Sequence, residues 1–225
     1  TSTAEYNIAV GTTALDAVTT GDGNTATGHS ALGSNTTGGN NTAMGYQALR
    51  DNSTGINNTA LGRATLATST GSKNTAIGSY ALAANTTAES NTATGYMALR
   101  FNTTGSANTT SGYQAGYSNT TGYNNSFFGK NAGNNNTTGY QNVFLGQYAG
   151  GSNTTGSNNI YIGDTAGGSS TTAEGNIFIG RASGEDNITS AGNTFVGVYT
   201  GIDNTAANNT FIGSSAGKYN TTGTG

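Results

Sequence analysis

The sequence predicts an all-β fold, a parallel β-solenoid (β-roll) of about 13 coils with a 17-residue repeat, and three observations carry that reading. First, the phrase Asn-x-x-x-Gly recurs thirteen times, opening at Asn7, Asn24, Asn41, Asn58, Asn74, Asn91, Asn108, Asn125, Asn142, Asn159, Asn176, Asn193 and Asn209. Second, the steps between copies are 17 residues, except for two of 16, and every copy closes on glycine, from Gly11 to Gly213. Third, the residues between Asn and Gly are β-formers, from Ile8-Ala9-Val10 through Thr42-Ala43-Met44 to Ile177-Phe178-Ile179. A fixed period of this length means one unit stacked on itself, so the fold reduces to the path of a single coil. One repeat domain is expected over residues 1–225, with 1–6 a partial repeat and 7–225 the thirteen full ones.

Composition agrees with stacking and narrows the partners. Gly is abundant (37 residues), Pro, Cys and Trp are absent, and only seven basic and ten acidic residues occur. Such a chain sits near the border of disorder, but repeated apolar columns bury one another when coils stack. The formal net charge is −3, and the basic residues, such as Arg50, Arg63, Arg100 and Lys130, are scattered. Without a basic stripe to neutralise phosphates, nucleic acid is not an expected partner. No apolar run reaches the length of a membrane span, and no signal peptide is evident. The chain opens on Thr1 rather than Met, which reads as a processed or excised piece.

Counting the Asn of the phrase as position 1 resolves each repeat into columns. Positions 2 to 4 form a short strand, ended by Gly at position 5. Position 8 is small: ten Ala, with Thr65, Ser183 and Thr200 as exceptions. Later comes Asn-Thr-Thr-Gly, as at Asn35 to Gly38 and Asn153 to Gly156, which reads as a second extended stretch closed by a turn. Stacked at about 4.8 Å per strand, such coils would make a rod about 60 Å long.

Positions 3 and 9 change together. In the first six repeats position 3 is Ala (Ala9, Ala26, Ala43, Ala60, Ala76, Ala93) and position 9 is Leu (Leu15, Leu32, Leu49, Leu66, Leu82, Leu99). In the last six, position 3 is aromatic (Phe127, Phe144, Tyr161, Phe178, Phe195, Phe211) and position 9 is Gly (Gly133, Gly150, Gly167, Gly184, Gly201, Gly217). The two combinations fill nearly the same volume, which is what a close-packed core tolerates, so the two columns are expected to touch. The seventh repeat, with Thr110 and Gly116, is the junction and is expected to be the loosest coil.

Position 4 is also largely apolar: Val10, Met44, Leu61, Ile77, Phe128, Leu145, Ile162, Ile179, Val196 and Ile212. Neighbours on a strand face opposite ways, so positions 3 and 4 cannot both point into the coil. This column is therefore expected to be an inter-chain face of a homo-oligomer, against the alternative of a column open to water, which Thr27, Thr94 and Ser111 favour. The thirteen Asn at position 1 are expected to form a structural ladder, each amide bonded to the next. Gly at position 5 is expected to supply a positive φ or a close chain approach.

Repeats such as Asn41-Thr-Ala-Met-Gly-Tyr-Gln-Ala48 and Asn74-Thr-Ala-Ile-Gly-Ser-Tyr-Ala81 resemble the YadA-like head repeats of trimeric autotransporter adhesins, which also occur in bacteriophage tail fibres. The resemblance spans essentially the whole chain. It implies a left-handed parallel β-roll with three chains side by side. The Asn-Thr-Thr-Gly insert lengthens the repeat beyond the family's usual one, and no heptad stalk or membrane anchor follows.

Little in the sequence speaks for catalysis. His29 is the only histidine and reads as a surface or turn residue. Among the acids only Glu185-Asp186 are adjacent, and an isolated ion near Asp164, Glu174 or Asp186 is the most they would support. No phosphate cradle or nucleophile elbow occurs, so neither catalytic residues nor cofactor nor metal ligands are assigned. Sequons at Asn35, Asn52, Asn102, Asn119 and Asn136 follow from composition. The expected function is that of a non-enzymatic extracellular structural protein, part of a cell-surface fibre, filament or adhesin head that contacts a carbohydrate or protein receptor multivalently. Ice binding, suggested by Thr36-Thr37 and like pairs, and a bacteriophage tail-fibre segment are the alternatives. Repeat register reaches both termini without a polar cap, which predicts either a fragment of a longer solenoid or end-to-end stacking into a filament.

Overall fold

The computed structural model describes residues 3–223, and the chain divides into two compact units, Thr1–Asn108 and Thr109–Gly225. The first holds strands β1 (Ile8–Val10), β2 (Thr25–Thr27), β3 (Thr42–Met44), β4 (Thr59–Leu61), β5 (Thr75–Ile77) and β6 (Thr92–Thr94). The second holds β7 (Thr109–Ser111), β8 (Ser126–Phe128), β9 (Val143–Leu145), β10 (Ile160–Ile162), β11 (Ile177–Ile179), β12 (Thr194–Val196) and β13 (Thr210–Ile212). Within each unit every strand pairs in parallel with the next, equivalent residue on equivalent residue, as in Ala26↔Ala43 and Phe144↔Tyr161. This is a parallel β-solenoid with no helix among the described residues. The remainder of each repeat supplies the long connection that parallel strands require.

Each coil contributes one strand rather than two. The Asn-Thr-Thr-Gly segment, read from sequence as extended, is a tight corner. The N–H groups of Thr36, Thr37 and Gly38 all point at the Ser53 carbonyl, at 3.0, 3.0 and 3.3 Å, and those of Thr120, Thr121 and Gly122 converge likewise on Thr137. Successive donors aimed at one acceptor form a nest, which extended backbone cannot do. Asn35 closes the corner, its Nδ2 donating to Gly38 O at 2.9 Å.

Both 16-residue steps are absorbed in this corner. Strand register is kept across them, with Thr59↔Thr75 and Thr194↔Thr210 paired. The shortened repeats are also the two with Thr at position 8. Thr65 Oγ1 donates to Gly78 O at 2.8 Å, and Thr200 Oγ1 to Gly213 O at 2.7 Å, so each hydroxyl ties its coil to the position 5 glycine of the next.

The interior differs between units. In the first, Ala26, Ala43, Ala60, Ala76 and Ala93 face Leu32, Leu49, Leu66, Leu82 and Leu99 in one cluster, each at most 1% exposed. In the second, Phe127, Phe144, Tyr161, Phe178, Phe195 and Phe211 form a column of stacked rings with centroids 4.9 to 5.1 Å apart. A Cβ placed on Gly150 would lie 2.5 Å from the Phe144 ring, and one on Gly184 2.5 Å from Phe178. Positions 3 and 9 therefore compete for one volume, and Leu beside an aromatic would overfill it.

Backbone geometry sets the cost of each solution. Position 9 is left-handed throughout: φ is 49–50° at the six leucines and 56–62° at the glycines that replace them. A non-glycine residue there costs about 1 kcal/mol, which in the first unit is outweighed by burying a leucine, worth about 1.5–3 kcal/mol. Position 5 leaves no choice. Gly45 has φ +136°, and a Cβ on it would lie 2.5 Å from Gly62 O in the next coil, so this column needs both the backbone freedom and the missing side chain. In the seventh repeat, Thr110 is fully buried and its Oγ1 has no hydrogen-bond partner.

Candidate interaction surface

With position 3 turned inward, positions 2 and 4 of every strand share the outward face. All of these positions are uncharged in all thirteen repeats. Of the ten apolar residues at position 4, Val10, Met44, Leu61, Ile77, Phe128, Leu145, Ile179 and Ile212 are exposed, by 36 to 73%, while Ile162 and Val196 are half-buried. In the second unit position 2 adds Val143, Ile160 and Ile177, and the face becomes broadly apolar across β8 to β12. In the first unit position 2 is a column of Thr25, Thr42, Thr59, Thr75 and Thr92 beside Met44, Leu61 and Ile77.

The position 1 asparagines are buried from Asn24 onward. In the first unit the backbone N–H of Asn41 donates to Asn24 Oδ1 at 3.0 Å, while Asn41 Nδ2 donates to the same oxygen at 3.1 Å and to Gly55 O at 2.8 Å. Asn58, Asn74, Asn91 and Asn108 repeat the bond to the preceding Oδ1. In the second unit Asn142, Asn159, Asn176, Asn193 and Asn209 do so. The backbone bonds tie coil to coil, and side-chain amides such as those of Asn41, Asn58, Asn142 and Asn159 also hold the adjoining corner, whereas Asn193 Nδ2 is buried without a partner among the described residues.

A second ladder, at position 12, escaped the sequence reading. Asn52 Nδ2 donates to Gly55 O at 3.0 Å, and Asn136 and Asn153 donate to the preceding Asn Oδ1 at 2.7 Å. The signal is the recurrent Asn of Asn-Thr-Thr-Gly, which sequence alone offers as a sequon and as the start of an extended stretch. Asn35, Asn52, Asn102, Asn119 and Asn136 are fully buried, so folded protein offers no amide at these sequons for glycosylation. Where serine takes position 12, at Ser69 and Ser170, the preceding Asn52 and Asn153 are left with an unpartnered buried Oδ1. Ser170 has another role: its Oγ lies 3.0 Å from the hydroxyl of Tyr161, the one tyrosine in the aromatic column. Burial pushes that phenol up to about 12, opposed in part by its hydrogen bonds.

The threonine pairs that suggested ice binding are partly engaged. Thr36, Thr86, Thr120, Thr137 and Thr154 each donate Oγ1 to a carbonyl of the next coil, at 2.9 to 3.1 Å. His29 is exposed, with Nδ1 3.0 Å from Ser30 Oγ. Asp186 accepts from Ser169 Oγ at 3.0 Å beside an open cavity of about 240 Å³ lined by Asp186, Ile188, Thr189, Ser190 and Thr205. Among the described residues no three His, Cys, Asp or Glu side chains are grouped to hold a metal. One ion pair forms among them, Arg50 with Asp51, and the bond from Arg50 holds the Asp51 carboxyl below its usual range. No protein-family model, curated protein or solved structure matches this chain.

Proposed function

We propose that this chain is a non-enzymatic extracellular structural protein, a segment of a cell-surface fibre, filament or adhesin head that works by multivalent contact. The observation that carries the reading is the outward sheet face: charge-free in every repeat and apolar from Phe128 to Val196. An apolar patch of this extent on a repeating surface is characteristic of an interface. A second copy presents the same spacing, so the favoured occupant of this face is another copy of this chain packed side by side, as in a trimer. The resemblance to YadA-like head repeats points the same way. Ile162→Asp or Ile179→Asp would place an unpaired charge in that interface and dissociate the assembly while leaving the coil folded. Light scattering and electron microscopy of the purified protein test this directly, and a monomer at high concentration would end the assembly reading.

Ice binding is the second reading, and the threonine column of the first unit favours it. Among the described residues the hydroxyls of Thr25, Thr42, Thr59, Thr75 and Thr92 bond to no protein group, and they stand in strand register on one face. Thermal hysteresis that disappears in a Thr42→Lys, Thr59→Lys variant would support it over the structural reading.

A further inference from the structure

We infer that the first unit carries a separate binding ridge, at which Arg63 and Arg100 take the oxyanions of a linear acidic polysaccharide. The ridge is built from side chains at positions 6, 7, 10 and 11 of successive coils. His29 stacks on Tyr46, with ring centroids 5.4 Å apart and planes inclined by 19°. The Arg63 guanidinium lies over both Tyr46 and Tyr80, at 5.8 and 5.4 Å from the ring centroids. That of Arg100 lies over Tyr80 and Phe101, at 5.2 Å from each. Rings and guanidiniums thus alternate along the stack, each cation anchored on two rings.

Neither cation is neutralised. Among the described residues Arg63 has no ion pair or hydrogen bond to protein, and Arg100 donates only to the Met97 sulfur, at 3.4 Å. Arg50, by contrast, is occupied by Asp51. Asp51, taken up by Arg50, is the one acidic residue at positions 6, 7, 10 and 11 from His29 to Arg100. The guanidinium fork matches carboxylate and sulfate geometry, and rings that hold it in place reduce the ordering cost of binding.

The ligand class follows from the layout. Arg63 and Arg100 belong to coils two steps apart, roughly 10 Å at the usual strand spacing, a distance that two sugar units of an extended chain span. Two cations are too few for a nucleic acid, whose affinity scales with the phosphates neutralised. A protein partner would be expected to meet an apolar centre with a polar rim, whereas this ridge mixes ring edges, hydroxyls and cations along a line. A polyhydroxy polymer with repeated acid groups fits it. The site rests on the multivalent-contact reading above and names a receptor class for it.

The test is binding of the full chain to dextran sulfate and to polygalacturonate, with neutral dextran and duplex DNA as controls. Both polyanions are expected to bind and dextran not to; binding of only one supports the site and identifies sulfate or carboxylate as its group. Arg63→Gln and Arg100→Gln should each weaken binding about tenfold, with lysine at either position restoring only part. Arg181→Gln removes a guanidinium 4.5 Å over Tyr199 in the second unit and should change nothing. Unchanged melting temperatures establish that the variants fold. Failure of both polyanions to bind, equal binding of dextran or DNA, or an equal loss in Arg181→Gln would each overturn the site. Light scattering is read separately, so a monomer that still binds polyanion would remove the assembly and leave the ridge.

Discussion

In the first unit the interior of each coil is filled from position 9, by leucines such as Leu49 and Leu82, with only alanine opposite. In the second it is filled from position 3, by the ring column from Phe127 to Phe211, with only glycine opposite. The backbone path is the same: strand, position 5 glycine, left-handed position 9 and nest corner recur in both. The first unit bears left-handed strain at its leucines and gains their burial. The second relieves that strain with glycine, accepts glycine's greater freedom in the unfolded chain, and gains ring stacking about 4.9 Å apart. Each solution works only as a pair, because a coil with both large residues collides and one with neither is hollow.

The comparison can be broken by moving one residue between units. The largest effect is expected from Gly150→Leu, which drives a side chain into the Phe144 ring and should cost about 3 kcal/mol or more in urea unfolding. Leu82→Gly in the first unit should cost less. It opens a cavity worth several kcal/mol, but relief of left-handed strain at φ 49° returns about 1 kcal/mol, for a net loss of about 2–3 kcal/mol.

A smaller effect separates Tyr161 from its phenylalanine neighbours. Its folded-state value of about 12 lies above the ordinary 10, so the fold favours the neutral phenol. The associated stability is whole below pH 10 and is lost as pH rises toward 12, at about 1.4 kcal/mol per unit. Tyr161→Phe should flatten the alkaline fall in that window relative to the unmodified chain, as read from denaturant midpoints at each pH. Smallest is the paired change Tyr161→Phe with Ser170→Asn. It restores the Phe and Asn combination of neighbouring coils and gives the orphaned Asn153 Oδ1 an amide donor, which should add about 1 kcal/mol. Ser170→Asn alone should destabilise, since it removes the tyrosine's partner and crowds the ring.

Much of this was legible in the sequence because repetition turns packing into statistics. The strand positions, the paired exchange at 3 and 9 and the outward turn of position 4 all follow from column chemistry and the period of two along a strand. What stayed hidden depends on where backbone groups point. Asn-Thr-Thr-Gly has strand-like threonines, yet the N–H groups of Thr36 to Gly38 share one acceptor in a nest, which no residue pattern announces. Asn35 and Asn52 look like any polar loop asparagine until the corner encloses them. The link between Thr65, Thr200 and the 16-residue steps, and that between Tyr161 and Ser170, joins positions distant within the repeat and appears once or twice, too seldom for a column to reveal it.

The most direct measurement is the double-mutant cycle of Ala76→Phe and Leu82→Gly in the first unit. If both side chains occupy one volume, Ala76→Phe alone collides with Leu82, Leu82→Gly alone leaves a void, and the double variant recovers most of both losses. A shared volume predicts a favourable coupling free energy of more than about 1 kcal/mol from denaturant unfolding. Losses that add within about 0.5 kcal/mol would show that the two columns do not share space and would contradict it.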